Sequence, residues 1–208
     1  MASELKVDTI KHTNNTSAIT LDTSGNVTLA GSANNVGTVS AGTFNGTIGN
    51  SATFPADSVV QFESEITDTV SGITNTSPPG DSWLEKAITP KYSNSKILIQ
   101  ISFIYSKQDA YTGYTRLYRN TTGGSNTWIY PYTSDRGYSL RGSAAWGHDF
   151  GFIQYVDTPG SGTHTYKCYS YTTDGSYPIY INKNYNNSQD ANSGGRASSS
   201  IVLMEIKV

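Results

Sequence analysis

"KILIQISFIYS", residues 96–106, alternates two sets of side chains along the whole run. Ile97, Ile99, Ile101, Phe103 and Tyr105 form one set, and Leu98, Gln100, Ser102 and Ile104 form the other. A period of two residues is that of a β-strand, whose successive side chains point to opposite faces of a sheet. This stretch is the strongest strand signal in the chain.

Similar alternating runs continue from Asp57 to the C-terminus. Strands are predicted over 58–67, 69–75, 83–89, 96–106, 113–119, 126–132, 146–156, 164–173, 177–182 and 199–207. Turn sequences rich in Gly, Pro, Asp and Ser lie at 78–81, 123–125, 158–162, 173–176 and 193–195. Many short strands without an amphipathic helix predict an all-β head, a β-sandwich or jelly roll. The terminal strand, 199–207, is expected inside a sheet.

The first 56 residues have a different character. Residues 18–30 place two short alternating runs around a Gly-containing turn, which predicts a small hairpin. Residues 32–56 carry no charge, and glycines separate single apolar residues. One such chain buries too little surface to fold alone, so the run is either a shaft of three intertwined chains or a flexible linker. The expected division is 1–31, a virion-attachment segment, 32–56, the stalk or linker, and 57–208, the head.

Composition excludes several classes of protein. The 208 residues have a formal net charge of −2 and no basic cluster, so nucleic-acid binding is not expected. No stretch approaches the roughly 18 apolar residues of a membrane span, and residues 1–12 lack the apolar run of a secretion signal. The single cysteine, Cys168, allows no intrachain disulfide. Synthesis in a cytoplasm and release by lysis fit these features, as does a cytosolic protein.

The chain resembles the tail-fibre and spike-like virion structural proteins of marine and cyanobacterial phages. Its opening, "ELKVDTIKHTNNTSAITLDTSGNVTLAG" (4–31), resembles theirs, as do "FPADSVVQ", "LEKAITPKYSNSKILIQISF", "THTYKCYSY" and "SSIVLMEI" in the head. The resemblance implies a homotrimer that is attached to other tail or capsid proteins by its N-terminus, with the head facing outward. The attachment residues on this reading are Leu5, Val7, Ile10, Ile19, Leu21, Val27 and Leu29.

No catalytic or metal-binding pattern stands out. The acids of the head form no pair in a context typical of a glycoside hydrolase, and no Gly-x-Ser-x-Gly motif is present. Cys168 lies in an alternating run and is expected to be a small buried side chain. His12, His148 and His164 are far apart in sequence and lack metal-ligand spacing. We therefore predict no enzyme activity, no cofactor and no metal.

Tyrosine is the informative residue type, with 15 Tyr and 3 Trp in the chain. Aromatic rings stack on the apolar faces of sugars, and Tyr with Ser, Gly and Asn is also typical of protein-binding loops. The alternative is that Tyr simply suits half-buried strands and subunit interfaces. The predicted recognition residues are Tyr111, Tyr114, Trp128, Tyr130, Tyr132, Arg136, Tyr138 and Arg141. Arg116 and Arg119 are expected to pair with acids of a neighbouring subunit or to be solvated.

These observations favour a trimeric phage fibre or spike whose head binds a host-surface glycan or a neighbouring virion protein. The alternatives are a capsid decoration protein, a fibre adaptor, and, with less support, a polysaccharide depolymerase or a bacterial lectin.

Overall fold

The structure is a computed structural model that describes residues 9–11, 17–21, 23–24, 27–29, 54–107, 112–130, 137–140, 148–184 and 197–208. The chain divides into two units, Met1–Ala52 and Thr53–Val208.

The first unit contains three short antiparallel strands in the order β1-β2-β3. They are β1 (Thr9–Lys11), β2 (Ser17–Leu21) and β3 (Val27–Leu29). Ile19 pairs with Leu29 across β2 and β3, so the predicted hairpin is confirmed.

The predicted attachment residues are only partly covered by the described part of the first unit. Ile10 is exposed and Ile19 is half-buried, while Leu21, Val27 and Leu29 lie on β2 and β3. Leu5, Val7 and most of the predicted stalk, 32–53, lie outside the described residues.

The second unit is built from strands alone in its described residues. They are β4 (Val59–Thr67), β5 (Ser71–Ile73), β6 (Asp81–Ile88), β7 (Lys96–Lys107), β8 (Gly113–Thr121), β9 (Asn126–Tyr130), β10 (Tyr138–Leu140), β11 (Asp149–Asp157), β12 (His164–Thr172), β13 (Ile179–Ile181) and β14 (Ser199–Ile206). These bounds confirm the ten predicted strands to within a few residues and add β10.

The strands form two antiparallel sheets. In the first, here called the β7 sheet, the order is β4-β14-β7-β11. The short β13 pairs with β7 beyond the end of β14, and β5 pairs with β13. In the second, here called the β8 sheet, the order is β6-β12-β8, and both β9 and β10 pair with the remaining edge of β8.

The two sheets pack face to face as a β-sandwich. The core includes Ile97, Ile99, Ile101 and Phe103 from β7, all with no exposed surface. The β8 sheet supplies Leu84, Ile88, Leu117, Tyr166 and Cys168 to the same cluster. The first set of the opening stretch is therefore the core face of β7, because its branched and aromatic side chains fill the space between the sheets.

The terminal strand lies inside the β7 sheet, between β4 and β7, as predicted. Its buried Glu205 accepts hydrogen bonds from Lys91 N, Tyr92 N and Ser95 Oγ at 2.7–3.0 Å. Asp57, at a positive φ of 62°, donates its N–H to Lys207 O. The start and the end of the sandwich are thus bonded to each other.

The predicted strand 69–75 is much shorter in the structure. The run 69–75 is reduced to β5, 71–73, because the chain is pinned just before it. The buried Asn182 donates from Nδ2 to Thr67 O and Thr69 O, both at 3.1 Å, and accepts from Ser199 Oγ at 2.7 Å. Satisfying these carbonyls with a side chain separates β4 from β5.

Candidate functional site

The outward side of the β8 sheet carries a set of aromatic residues around one arginine. Cross-strand register places Tyr114 opposite Tyr171, Arg116 opposite Tyr169, and Tyr118 opposite Trp128. These residues, Tyr114, Arg116, Tyr118, Trp128, Tyr169 and Tyr171, are called the aromatic face below. They lie together because side chains two residues apart on neighbouring strands share one side of a sheet.

Arg116 is held between two rings. Its Cζ lies 4.0 Å from the centroid of the Trp128 ring and 5.1 Å from that of Tyr171. Its Nη2 donates to Tyr171 Oη at 3.4 Å, and the residue is only 5% exposed. Stacking a guanidinium on aromatic faces is favourable by about 0.5–2 kcal/mol, more when water is excluded. The arrangement fixes a positive charge just beneath the surface.

The tyrosines support this arrangement. Tyr114 stacks on Tyr171 with centroids 5.2 Å apart, and Tyr118 meets Tyr169 edge-on at 5.1 Å. Such ring pairs contribute beyond their buried area, because the positive edge of one ring meets the negative face of the other. Tyr114, Tyr118 and Tyr171 are buried, so they form a supporting layer.

Trp128 and Tyr169 form the accessible layer, since both are half-buried. Trp128 Nε1 donates to Tyr130 O at 2.9 Å, which fixes the indole on strand β9. The exposed Asn126 donates from Nδ2 to Tyr169 Oη at 3.3 Å. The rings of Trp128 and Tyr169 can therefore stack on an apolar surface of a ligand. The Asn126 amide and the Tyr169 hydroxyl can hydrogen-bond to hydroxyl groups beside that surface.

The predicted recognition residues have different locations. Tyr114 and Trp128 belong to the aromatic face. Tyr130 and Tyr138 pack towards the core, with ring centroids 5.6 Å from Tyr155 and 6.2 Å from Phe103 respectively. The other four, Tyr111, Tyr132, Arg136 and Arg141, lie outside the described residues.

Four members of the aromatic face were missed by the sequence analysis. Tyr118, Tyr169 and Tyr171 lie on predicted strands and were treated as ordinary strand residues. Arg116 was expected to pair with an acid of a neighbouring subunit or to be solvated, but it is 5% exposed and lies between the rings of Trp128 and Tyr171. The available signal was the period of two in Tyr-x-Arg-x-Tyr, 114–118, matched by Tyr-x-Tyr, 169–171. Only the pairing of β8 with β12 shows that the two patterns share one surface.

Arg119 was expected to pair with an acid of a neighbouring subunit or to be solvated, but it pairs with an acid of its own chain. Its Nη1 contacts both carboxylate oxygens of Asp157 in the same chain, at 2.7 and 2.8 Å. Tyr166 Oη donates to the same carboxylate at 2.9 Å. Burial, and then the Asp157 charge, raise the pKa of Tyr166 above its usual range. This buried network joins β8, β11 and β12 and has a structural role.

Cys168 is a structural residue. It is buried, as predicted, and burial raises the pKa of its thiol.

The described part of the chain contains no group of three or more His, Cys, Asp or Glu that could hold a metal ion. Among the same residues, no helix is long and apolar enough to cross a membrane.

Comparison with known proteins gives no family. No protein-family model matches the chain, and no curated protein matches it. Among solved structures, a chain of infectious bursal disease virus, Gx strain, is similar with 9% identity and a TM-score of 0.36. That match covers 76% of this chain and 41% of the viral chain, so this chain spans less than half of it.

A second solved structure is similar at the same level. It is the CBM22-1 xylan-binding domain of Xyn10C from Paenibacillus barcinonensis, with 11% identity and a TM-score of 0.31. The match covers 75% of this chain and 99% of that domain. Both TM-scores are low, so neither structure assigns a function to this chain.

Proposed function

We propose that this chain is a non-enzymatic structural protein of a phage virion, a trimeric fibre or spike whose sandwich head binds a host-surface glycan. The observation that carries the glycan assignment is the aromatic face, with Arg116 fixed between Trp128 and Tyr171. The virion assignment rests on the sequence resemblance and on the uncharged, Gly-rich run 32–56.

The strand order supports a jelly roll as the finer description of the head. Eight strands, β4, β6, β7, β8, β9, β11, β12 and β14, can be numbered one to eight in chain order. The β7 sheet then reads 1-8-3-6 and the β8 sheet reads 2-7-4-5. This interleaving of two four-stranded sheets is the jelly-roll arrangement that viral and lectin domains share.

The aromatic face supports binding rather than chemistry. Its residues supply two accessible ring surfaces, hydroxyl groups and a buried cation, with the amide of Asn126 beside them, and they include neither a nucleophile–base pair nor two carboxylates. Arg116 packs on the Trp128 ring, and Tyr130 O accepts its indole N–H, so the ring is oriented before any ligand arrives. A preorganised ring loses little entropy on binding, which favours even a shallow site.

Three heads on one stalk would make weak sites useful. A monosaccharide-sized contact is weak alone, but a second and third contact within one trimer are intramolecular and raise the avidity. The N-terminal unit would attach the trimer to other tail or capsid proteins of the virion. The chain would be made in the host cytoplasm and released by lysis.

The test is binding of the full-length protein to purified host-surface polysaccharide, measured by calorimetry. Trp128→Ala removes the accessible ring and should weaken binding about tenfold, the order expected for losing one aromatic contact. Tyr180→Ala is the matched control, because Tyr180 is a half-buried tyrosine that contacts a cation, Lys183 at 4.2 Å, and lies on the β7 sheet. Equal affinities of the wild type and Trp128→Ala would contradict the glycan assignment. Saturating attachment to capsids without polysaccharide binding would favour a decoration protein.

A further inference from the structure

The outward side of the β7 sheet exposes several large apolar residues. Its exposed residues include Phe62 at 58%, Ile66 at 70%, Phe150 at 60%, Phe152 at 45% and Val156 at 48%. We infer that copies of this chain pack against one another through this surface, here called the packing face. That the copies number three rests on the proposed function, whereas the face itself does not.

Strand register defines the packing face as three complete rows. They are Phe62–Met204–Leu98–Val156, Ser64–Val202–Gln100–Gln154 and Ile66–Ser200–Ser102–Phe152, with Ile104 and Phe150 paired beyond the third row. The three rows contain no charged residue. Lys96 lies at one end, next to Ile206. A charge-free centre with charge only at the rim is typical of protein interfaces.

The absence of charge in the rows favours a second copy over a charged partner. A nucleic acid, or a strongly acidic or basic protein, would find no opposite charge in these rows. Glu63 and Glu65 of β4 do not belong to the rows; both approach Lys86 of β6, at 3.5 and 3.8 Å. Two identical uncharged surfaces meet without repulsion and both lose apolar contact with water.

The distribution of side-chain size also fits identical copies. The two edge strands, β4 and β11, carry the exposed large residues, while the middle strands, β14 and β7, carry half-buried ones, including the small Ser102 and Ser200 in the third row. Ser102 Oγ and Ser200 Oγ bond to each other at 2.8 Å, so neither requires an outside partner. In a threefold arrangement of the packing faces, the middle strands of the three sheets would lie nearest the axis. Each β4 edge would then contact the β11 edge of a neighbouring copy.

The packing face is of the size of a functional surface patch. Four strands about 4.8 Å apart, paired over about seven residues of 3.3 Å each, give a face of roughly 450 Å² in plan. The largest apolar patch of a typical monomer is about 300–600 Å² and often functional.

The experiment is a charge-rescue series on the full-length protein, with mass measured by light scattering after gel filtration. Ile66 and Phe152 share a row but lie on opposite edges of one chain, about 14 Å apart, too far to pair within it. Ile66→Lys alone and Phe152→Glu alone should each dissociate the oligomer, and the double variant should restore it. Ala87→Lys places the same charge on an exposed residue of the β8 sheet and should leave the mass unchanged.

Three results would overturn the proposal: a wild-type protein that is a monomer, single variants that keep the wild-type mass, or a double variant that stays dissociated. Circular dichroism checks the fold, and Phe62→Ser is a second, milder variant at an exposed position should a charged one fail to fold. Binding of a soluble monovalent glycan is measured on each variant. If the single variants dissociate and keep the glycan affinity of the wild type, the packing face is supported. If they dissociate but no protein of the series binds glycan, the packing face is still supported and the proposed function fails.

Discussion

Lys107 lies entirely inside the sandwich, where a charge is costly unless it is bonded. Its Nζ donates to Thr172 Oγ1 at 2.8 Å and to Tyr177 O at 2.6 Å. Burial lowers its pKa from 10.5 to about 8, although the Asp174 carboxylate acts in the opposite direction. Part of the stability of the head therefore depends on pH.

The direction in which stability changes with pH follows from which state, folded or unfolded, holds the Lys107 proton. Between pH 8 and 10.5 the unfolded chain keeps a proton that the folded chain has released, so the free energy of unfolding rises with pH there. Below about pH 8 both states are protonated and this contribution is constant. Lys107→Met keeps the apolar stem and removes the titration. We expect the stability difference between wild type and Lys107→Met to shift towards wild type by up to about 3 kcal/mol across this window.

Urea unfolding of both proteins at several pH values measures this difference. Taking the difference cancels the titrations that the two proteins share, including those of Cys168 and Tyr166. A difference that stays flat from pH 8 to 10.5 would show that Lys107 keeps its proton when buried.

Buried polar residues such as Lys107, Asn182 and Glu205 could not be predicted from the sequence. Each is polar in sequence, and its burial depends on partners far along the chain: Thr172 for Lys107, Thr67 for Asn182 and Lys91 for Glu205. By contrast, the burial of Cys168 was predicted correctly, because it shares a strand face with Tyr166 and a lone strand cysteine is usually a small buried side chain.

At the scale of elements, β11 packs against β7 through a glycine. Gly151 pairs with Phe103, and a Cβ added at Gly151 would lie 2.1–2.5 Å from atoms of the Phe103 ring. That ring cannot move aside easily, because it is fully buried and contacts Trp83 at a centroid distance of 5.3 Å. The missing side chain lets the aromatic core fit beneath β11.

Gly151→Ala should therefore destabilise the head by about 1–3 kcal/mol through overpacking, despite the better strand propensity of alanine. Gly72→Ala is the matched control: Gly72 is an exposed strand glycine whose added Cβ would lie 3.3 Å from Tyr180 Cε1. We expect the control to change stability by less than about 0.5 kcal/mol. Urea midpoints compare the two, and equal effects would contradict this account of β11.

The strands themselves were predictable, because period-two runs and Gly- or Pro-rich turns are local. Which face of a strand is buried was harder to predict. On β7 and β11 both faces carry apolar residues, so Phe150 and Phe152 give no sign in sequence that they point outward. β10 was missed because three residues, Tyr138–Leu140, are too short for a period to be recognised.

At the scale of the whole head, the two sheets have outward faces of different chemistry. The β8 sheet presents rings around a fixed arginine, and the β7 sheet presents uncharged rows in which large apolar residues are exposed. We propose that the first binds glycan and the second binds copies of the chain. This division would leave three glycan sites outward on one assembly, which is the geometry that avidity needs.

The solution mass of the full-length protein at micromolar concentration shows whether three copies associate. We expect a particle of three times the 22.4 kDa chain by light scattering. We also expect a fragment beginning at Asp57 to remain a trimer, with a mass three times its own chain mass, because the packing face belongs to the head. A full-length protein of monomer mass would contradict the account. A trimer lost in the fragment would move the association to the first 56 residues.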